Sequence, residues 1–250
     1  MDFTQKDLVI FDLDGTLAPS KSAMDPEMGV LLVRLLQKKK VAIISGGGYP
    51  QFETQLLRMM PHSSEGLSNL FLLPTSGTRF LSWKGSWVEQ YAENLSEREK
   101  KDILSNLDWA FKIAGYEKPS KTYGPAIEDR GSQITFSALG QEAPLDLKTA
   151  WDPDRSKRER IAVILREKIP AFDIRLGGTT SIDITRKGVN KAYGIRKLET
   201  FLSIPVQHMV FVGDALFHGG NDYPAKATGV DCIQVAGPEE TKKLIQSWVA

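Results

Sequence analysis

Residues Leu8-Val9-Ile10-Phe11 form an unbroken apolar run that stops at Asp12-Leu13-Asp14-Gly15-Thr16. Such a run leaves neither face of an extended segment for water, so it reads as a strand buried on both faces, as in a parallel sheet. A parallel sheet needs crossover connections, and the next stretches supply them. Pro26 to Lys39 has helical spacing at Val30, Leu31, Val33, Leu35 and Leu36, with lysines at its end, where the helix dipole favours cations. Val41 to Ile44 is a second strand, closed by Ser45-Gly46-Gly47-Gly48. A helix is predicted from about Pro50 to Met60, and a third short strand at Leu70 to Leu73. This β-α-β-α-β order predicts a doubly wound α/β sheet, Rossmann-like in its winding.

The pattern then changes. Arg79 to Tyr91 alternates around Lys84-Gly85, a hairpin signal. Ser96 to Ala114 reads as an amphipathic helix capped by Ser96 with Glu99 three residues on. Ile127 to Leu139 alternates again, and Asp154 to Lys168 is a charged helix ended by Pro170. Ile174 to Ile184 reads as two strands joined at Gly177-Gly178. From Asn190 the first pattern returns, with a helix at Lys191 to Phe201, a strand at Met209 to Val212 ending in Gly213-Asp214, a strand at Cys232 to Val235 and a closing helix at Glu239 to Val249. The expected organisation is a split core, 1–79 plus 187–250, around an inserted antiparallel α+β cap, 80–186.

Composition narrows the function classes. The chain has 250 residues with a net charge of +1, so no global field attracts nucleic acid or an anionic membrane. The Lys38-Lys39-Lys40 run sits at a helix end and reads as a solvated face. No apolar run approaches the roughly 20 residues of a membrane span. The N-terminus lacks the basic start and apolar stretch of a leader, and a cytoplasmic protein is expected. One cysteine, Cys232, excludes an intramolecular disulfide and reads as a small buried hydrophobe on a strand. His62, His208 and His218 read as ordinary surface residues, a reading favoured for His218 over a substrate contact from its loop.

Ligands of doubly wound sheets bind at the carboxyl ends of the strands, and four polar clusters fall at such ends. Asp12 and Asp14 alternate with Leu13, so their carboxylates share one side. Two like charges so close call for a cation; magnesium takes carboxylate and phosphate oxygens. One carboxylate then suits attack on phosphorus and the other proton transfer. Ser45 with Gly46, Gly47 and Gly48 offers a hydroxyl and free backbone N–H groups before a helix, an anion site. Lys187 or Lys191 supplies an ammonium to neutralise phosphoryl charge. Asp214, then Asn221-Asp222, completes a set of oxygen ligands.

These clusters, in this order, resemble the four motifs of the haloacid dehalogenase-like superfamily. The resemblance makes Asp12 the nucleophile, Asp14 the acid/base, Ser45 the motif-two hydroxyl and Lys191, by its Gly-x-x-Lys spacing from Gly188, the motif-three lysine. It implies magnesium on Asp12, the Asp14 main-chain carbonyl and Asp214, with Asp222 as partner acid. The insertion between the second and third motifs implies the large α+β (C2) cap of the sugar-phosphatase-like class. Phe211-Val212-Gly213-Asp214 through Gly219-Gly220-Asn221-Asp222, Ile127-Glu128-Asp129-Arg130 with Ser137-Ala138-Leu139-Gly140, and Ser181-Ile182-Asp183-Ile184 are similar to eukaryotic-type phosphomannomutases. In that family the residues matching Ser181 and Asp183 hold the sugar. Arg130 falls in a matched segment and joins the candidate substrate contacts, as does Gly46 beside Ser45.

The chain departs from the mutases at three positions. Where they carry arginines to grip the phosphate remote from the reaction, it has Gln141, without charge, and Lys148, without the bidentate fork. A further mutase arginine falls on Lys21. The sequence reading is therefore a magnesium-dependent phosphatase of a sugar phosphate or similar small metabolite. Its alternative is a phosphomannomutase or phosphoglucomutase needing a bisphosphate activator. A receiver-like module phosphorylated on aspartate is disfavoured, because Asp14 supplies the base for turnover and receivers carry no such cap. A monomer or a cap-mediated homodimer is expected from the resemblance.

Overall fold

The computed structural model describes residues 2–61 and 66–250, so His62 lies outside the described residues. By its internal contacts the chain forms two compact units, Met1–Ala92 with Val189–Ala250, and Glu93–Gly188.

The first unit begins with β1 (Leu8–Asp12), α1 (Pro26–Leu36), β2 (Lys40–Ile44), α2 (Tyr49–Gln55) and β3 (Leu70–Leu73). Asp25 caps α1 by accepting from Met28 N at 2.9 Å, and Pro26 takes the first helical position, where no N–H is needed. A hairpin, β4 (Arg79–Trp83) and β5 (Trp87–Ala92), follows directly. It joins the core sheet and not the insertion: β4 pairs antiparallel with β3, Leu72 opposite Leu81. Phe80 anchors it, stacked on Phe71 at 5.8 Å and meeting Phe201 edge-on at 4.6 Å. The boundary expected after residue 79 thus falls after Ala92. Local alternation looks the same in a hairpin that extends a parallel sheet and in one belonging to a separate module.

The second unit contains α3 (Glu97–Ala114), β6 (Ile127–Asp129), β7 (Gln133–Ser137), α4 (Leu145–Trp151), α5 (Ser156–Lys168), β8 (Phe172–Gly177) and β9 (Ser181–Arg186). Its antiparallel sheet has the order β6-β7-β9-β8. Side chains alternate across it. Ile134, Phe136, Ile182 and Ile184 pack on Ile103 and Leu107 of α3 and on Ile161 and Leu165 of α5. A large apolar side chain so buried contributes about 1.5–3 kcal/mol. Gln133, Thr135, Ser137, Ser181 and Asp183 take the other face. Ser96 and Glu99 form the expected capping box. Arg186 ties the two ends of the unit together, donating to Glu99 at 2.7 and 2.8 Å, to the Glu93 carbonyl at 3.2 Å and to the Asn94 carbonyl at 2.9 Å. The short α4 has no counterpart in the sequence reading, because seven residues with Leu145 and Leu147 exposed carry no helical stripe.

The chain then re-enters the first unit with α6 (Lys191–Leu202), β10 (Met209–Gly213), β11 (Asp231–Gln234) and α7 (Pro238–Val249). The core sheet has the order β11-β10-β1-β2-β3-β4-β5, parallel through β3. On one face Val9, Phe11, Val41, Ile43, Val210 and Val212 meet α1, α2 and Ile245 of α7. On the other, Leu8, Ile10, Ala42, Ile44 and Phe211 meet Ile195 and Leu198 of α6. The sheet is doubly wound, as the continuous apolar strands require. Cys232 is half-buried on the edge strand rather than buried. Among the described residues no helix is long and apolar enough to cross a membrane.

Candidate active site

The register of the core sheet lines up the polar strand ends. Asp12 pairs with Ile44, so Ser45 lies one residue beyond Asp12 on the neighbouring strand. Phe11 pairs with Val212 on the other side, which places Asp214 one residue beyond the Asp12 level. The buried Lys191 opens α6, and its ammonium donates to Asp12 Oδ1 and, at 2.6 Å, to the carbonyl of Ile44. It stands 3.5 Å from Asp222 Oδ1. Asp222 is held by the Ala215 N–H, which donates to Oδ2 at 3.1 Å. The Asp214 N–H donates to Thr16 Oγ1 at 3.0 Å. Gly15 sits at φ 84°, and a Cβ there would lie 2.6 Å from Asp214 Oδ2, so only glycine allows this closeness.

Oxygens of Asp12, Asp214 and Asp222 all lie within 4.8 Å of one another. Among the described residues, Asp12 Oδ2 and Asp222 Oδ1 are buried without a hydrogen-bond partner. Burial pushes the Asp12 carboxyl well above the usual carboxylate range; the charges of Asp222 and Asp14 add to this, and Lys191 opposes it. Burial, then the neighbouring Asp222, also raises Asp214. Burial alone would lower Lys191, but the facing carboxylates of Asp12 and Asp222 outweigh it and hold the ammonium charged. Three carboxylates against one ammonium lack a counter-charge, and an oxygen-only donor set with two unsatisfied oxygens fits a hard divalent cation.

Asp14 stands apart from this cluster. Its Oδ1 accepts from the Lys21 backbone N–H at 2.6 Å and its Oδ2 from Gln51 Nε2 at 2.7 Å. Lys21, expected as a substrate contact, thus also holds Asp14 through its main chain. Ser45 Oγ accepts from Gly47 N at 3.0 Å across the turn that contains Gly46, while the carbonyl of Ser45 accepts from Ser76 N at 2.8 Å.

The candidate residues of the inserted unit form their own network. Gln141 Nε2 donates to Ser137 Oγ at 2.6 Å, and Ser137 and Ser181 share a hydroxyl bond of 2.7 Å. Lys148 donates to the Gln141 carbonyl at 2.7 Å. Asp183 accepts from Gln133 at 2.9 Å and from Thr135 at 2.8 Å. Arg130 donates to Glu128 at 2.6 Å. His208 pairs with Asp7 at 2.8 Å near the start of β1, remote from the carboxyl ends. His218 is exposed and meets Tyr223 edge-on at 5.5 Å. The sequence reading passed over Gln51 and Thr16 as holders of Asp14 and Asp214. A neutral helix residue and a motif threonine carry no charge signal, and only the fold brings them to those acids.

Comparison with known proteins agrees with this arrangement. The model of the family described as eukaryotic phosphomannomutase matches residues 30–249. A phosphomannomutase from Galdieria sulphuraria is 29% identical over 248 residues, covering 96% of this chain and 93% of that one. Among solved structures, an IMP-bound IMP-nucleotidase variant from Plasmodium falciparum superposes with a TM-score of 0.71 at 17% identity, covering 97% of this chain and 68% of that one. A haloacid dehalogenase-like hydrolase from Bacteroides thetaiotaomicron gives 0.64 at 15% identity, covering 97% and 99%. These two likenesses speak to the fold, a Rossmann-like core with an inserted cap. The chain belongs to the eukaryotic phosphomannomutase family, within the haloacid dehalogenase-like superfamily.

Proposed function

We propose that the chain transfers phosphoryl groups on sugar phosphates through an aspartyl phosphate at Asp12, with interconversion of hexose phosphates as its first reading. The observation that carries this is the buried Lys191 ammonium on Asp12, in a chain matched by the phosphomannomutase model over 30–249. In the first half-reaction an Asp12 oxygen attacks phosphorus in line. The bond from phosphorus to the ester oxygen breaks, and Asp14 gives its proton to that oxygen. In the second, Asp14 takes the proton of an acceptor hydroxyl whose oxygen bonds to phosphorus. The bond to Asp12 breaks and the carboxylate returns. Lys191 balances the charge spread over the transferred group, and Ser45 with the Gly46 turn offers donors to its oxygens.

Asp12, Asp214 and Asp222, with the main-chain carbonyl of Asp14 that the resemblance implies, would hold magnesium. When bound it supplies charge neutralisation at the phosphoryl oxygens. Ser181 and Asp183 are proposed to hold the sugar, with Arg130, Gln141 and Lys148 as further contacts of the inserted unit.

In the mutase reading the acceptor is a sugar hydroxyl and turnover needs a bisphosphate. A second reading, hydrolysis with water as acceptor, draws on Gln141 and Lys148, which lack the guanidinium fork for a remote phosphate. The test is product analysis with mannose 1-phosphate and magnesium, with and without glucose 1,6-bisphosphate. Mannose 6-phosphate formed only with the bisphosphate supports the mutase. Free phosphate unaffected by it supports the hydrolase. Either activity surviving Asp12→Asn sinks the covalent mechanism.

A further inference from the structure

We propose that Gln51 is a positioning residue that orients Asp14 for proton transfer, and that Gly47 provides the space in which it does so. The inference rests on the aspartyl-phosphate reading above.

Asp14 accepts one N–H donor on each oxygen, the Lys21 amide on Oδ1 at 2.6 Å and Gln51 Nε2 on Oδ2 at 2.7 Å. A single donor leaves a carboxylate free to turn about its bond to Cβ; two fix both its position and its plane. The first donor is main chain, from a residue held at φ 53°. The second is a side chain, and its orientation is itself determined. Gln51 Nε2 also donates to Gln55 Oε1 at 3.0 Å, so the nitrogen of the carboxamide faces two acceptors. Its oxygen then faces Gly47, where a Cβ would lie 1.8 Å from Oε1 and 2.5 Å from Cδ. Gly47 is thus a residue of the turn whose missing side chain gives Gln51 its place. An acid/base group is useful only within hydrogen-bond reach of the proton it moves, and misplacement by an ångström is costly.

The experiment uses p-nitrophenyl phosphate with magnesium, followed from the first turnover. p-Nitrophenolate leaves without a proton, so phosphorylation of Asp12 by this probe needs no acid. Release of phosphate from Asp12 still needs Asp14 as base. In Gln51→Met the first-turnover burst of nitrophenol is expected to persist while the steady rate falls roughly 10²-fold, the lower range for a general base. Gln51→Lys, which keeps an N–H donor, restores the steady rate to within a few-fold. Gly47→Ala leaves the carboxamide in the protein but displaces it, and reproduces Gln51→Met. Gly47 is not at positive φ, and the clash is with the end of a flexible side chain, so this variant folds even where Gln51→Met does not; unfolding midpoints report on both. Burst and steady rate falling together, or neither falling, in folded Gly47→Ala overturns the inference. Turnover that survives Asp12→Asn overturns the covalent reading, and this inference with it.

Discussion

The ammonium of Lys148 is committed to the backbone carbonyl of Gln141, 2.7 Å away, in a buried site that lowers its basicity. Two positions where the resemblance to the mutases implies arginines are thus coupled to each other, and the cation at one is partly spent on the other's main chain. A charged hydrogen bond contributes about 1.5–3 kcal/mol. Gln141→Arg with Lys148→Arg is therefore expected to raise bisphosphate-dependent isomerisation relative to phosphate release by about tenfold or more. The ratio of hexose phosphate to free phosphate measures it, and an unchanged ratio means neither position touches the remote phosphate.

Lys191→Met leaves Asp12 and Asp222 buried with no ammonium between them. Removing one partner of a buried pair costs about 3–5 kcal/mol. The variant should unfold at lower denaturant concentration, and Asp12→Asn on the same background should recover part of the loss. A double-mutant cycle by urea titration reads the coupling; simple additivity would mean the pair is not a unit.

Cation binding should show without any catalysis. Ligand bound only to the folded state at 100 times its dissociation constant stabilises by about 2.7 kcal/mol. Magnesium should raise the unfolding midpoint of the native protein and a chelator reverse it. Asp214→Asn should blunt the shift, since it removes a carboxylate of the cluster while leaving Lys191 on Asp12. An equal shift in both proteins would locate the ion elsewhere.

Glu99 gives a pH signature to the second unit. Arg186, then the Ser96 amide, hold its carboxyl down from 4.5 to about 2. A depressed folded value means the stabilisation is fully present above the unfolded value and is lost as pH falls through the folded one. Stability should therefore decline between about pH 5 and 2 through this group, and Glu99→Gln should flatten that decline. Circular dichroism during acid titration reads both curves.

Much of the candidate site was legible because its polar residues are concentrated at strand ends. Asp12, Asp14, Ser45 and Asp214 each lie at the end of a short apolar run, with Asp222 a glycine-rich loop beyond the last of them, and buried strands are the elements that sequence marks most strongly. Lys191 needed more than its type, since Lys187 nearby was an equal candidate until Gly188 set the spacing. Pairing was less visible. The β4–β5 hairpin was read into the insertion because alternation fixes which face a residue takes, not which sheet its strand joins. The expected helix from Pro50 to Met60 ends its α-helical part at Gln55, with a 3₁₀ turn at Leu57–Met59 beyond it. Gln51 went unread because an uncharged amide on a short helix resembles any solvated residue until the fold sets it beside Asp14.

Arg186 fastens the last strand of the second unit to that unit's first residues, Glu93, Asn94 and Glu99. The entry and exit of the insertion are thereby stapled within the insertion itself. Such a segment has the makings of a transplantable cassette, because the contacts that join its two ends lie inside it. Evolution could exchange it, or an engineer graft another between Ala92 and Val189, while the strand ends that carry Asp12, Ser45 and Asp214 keep their sequence.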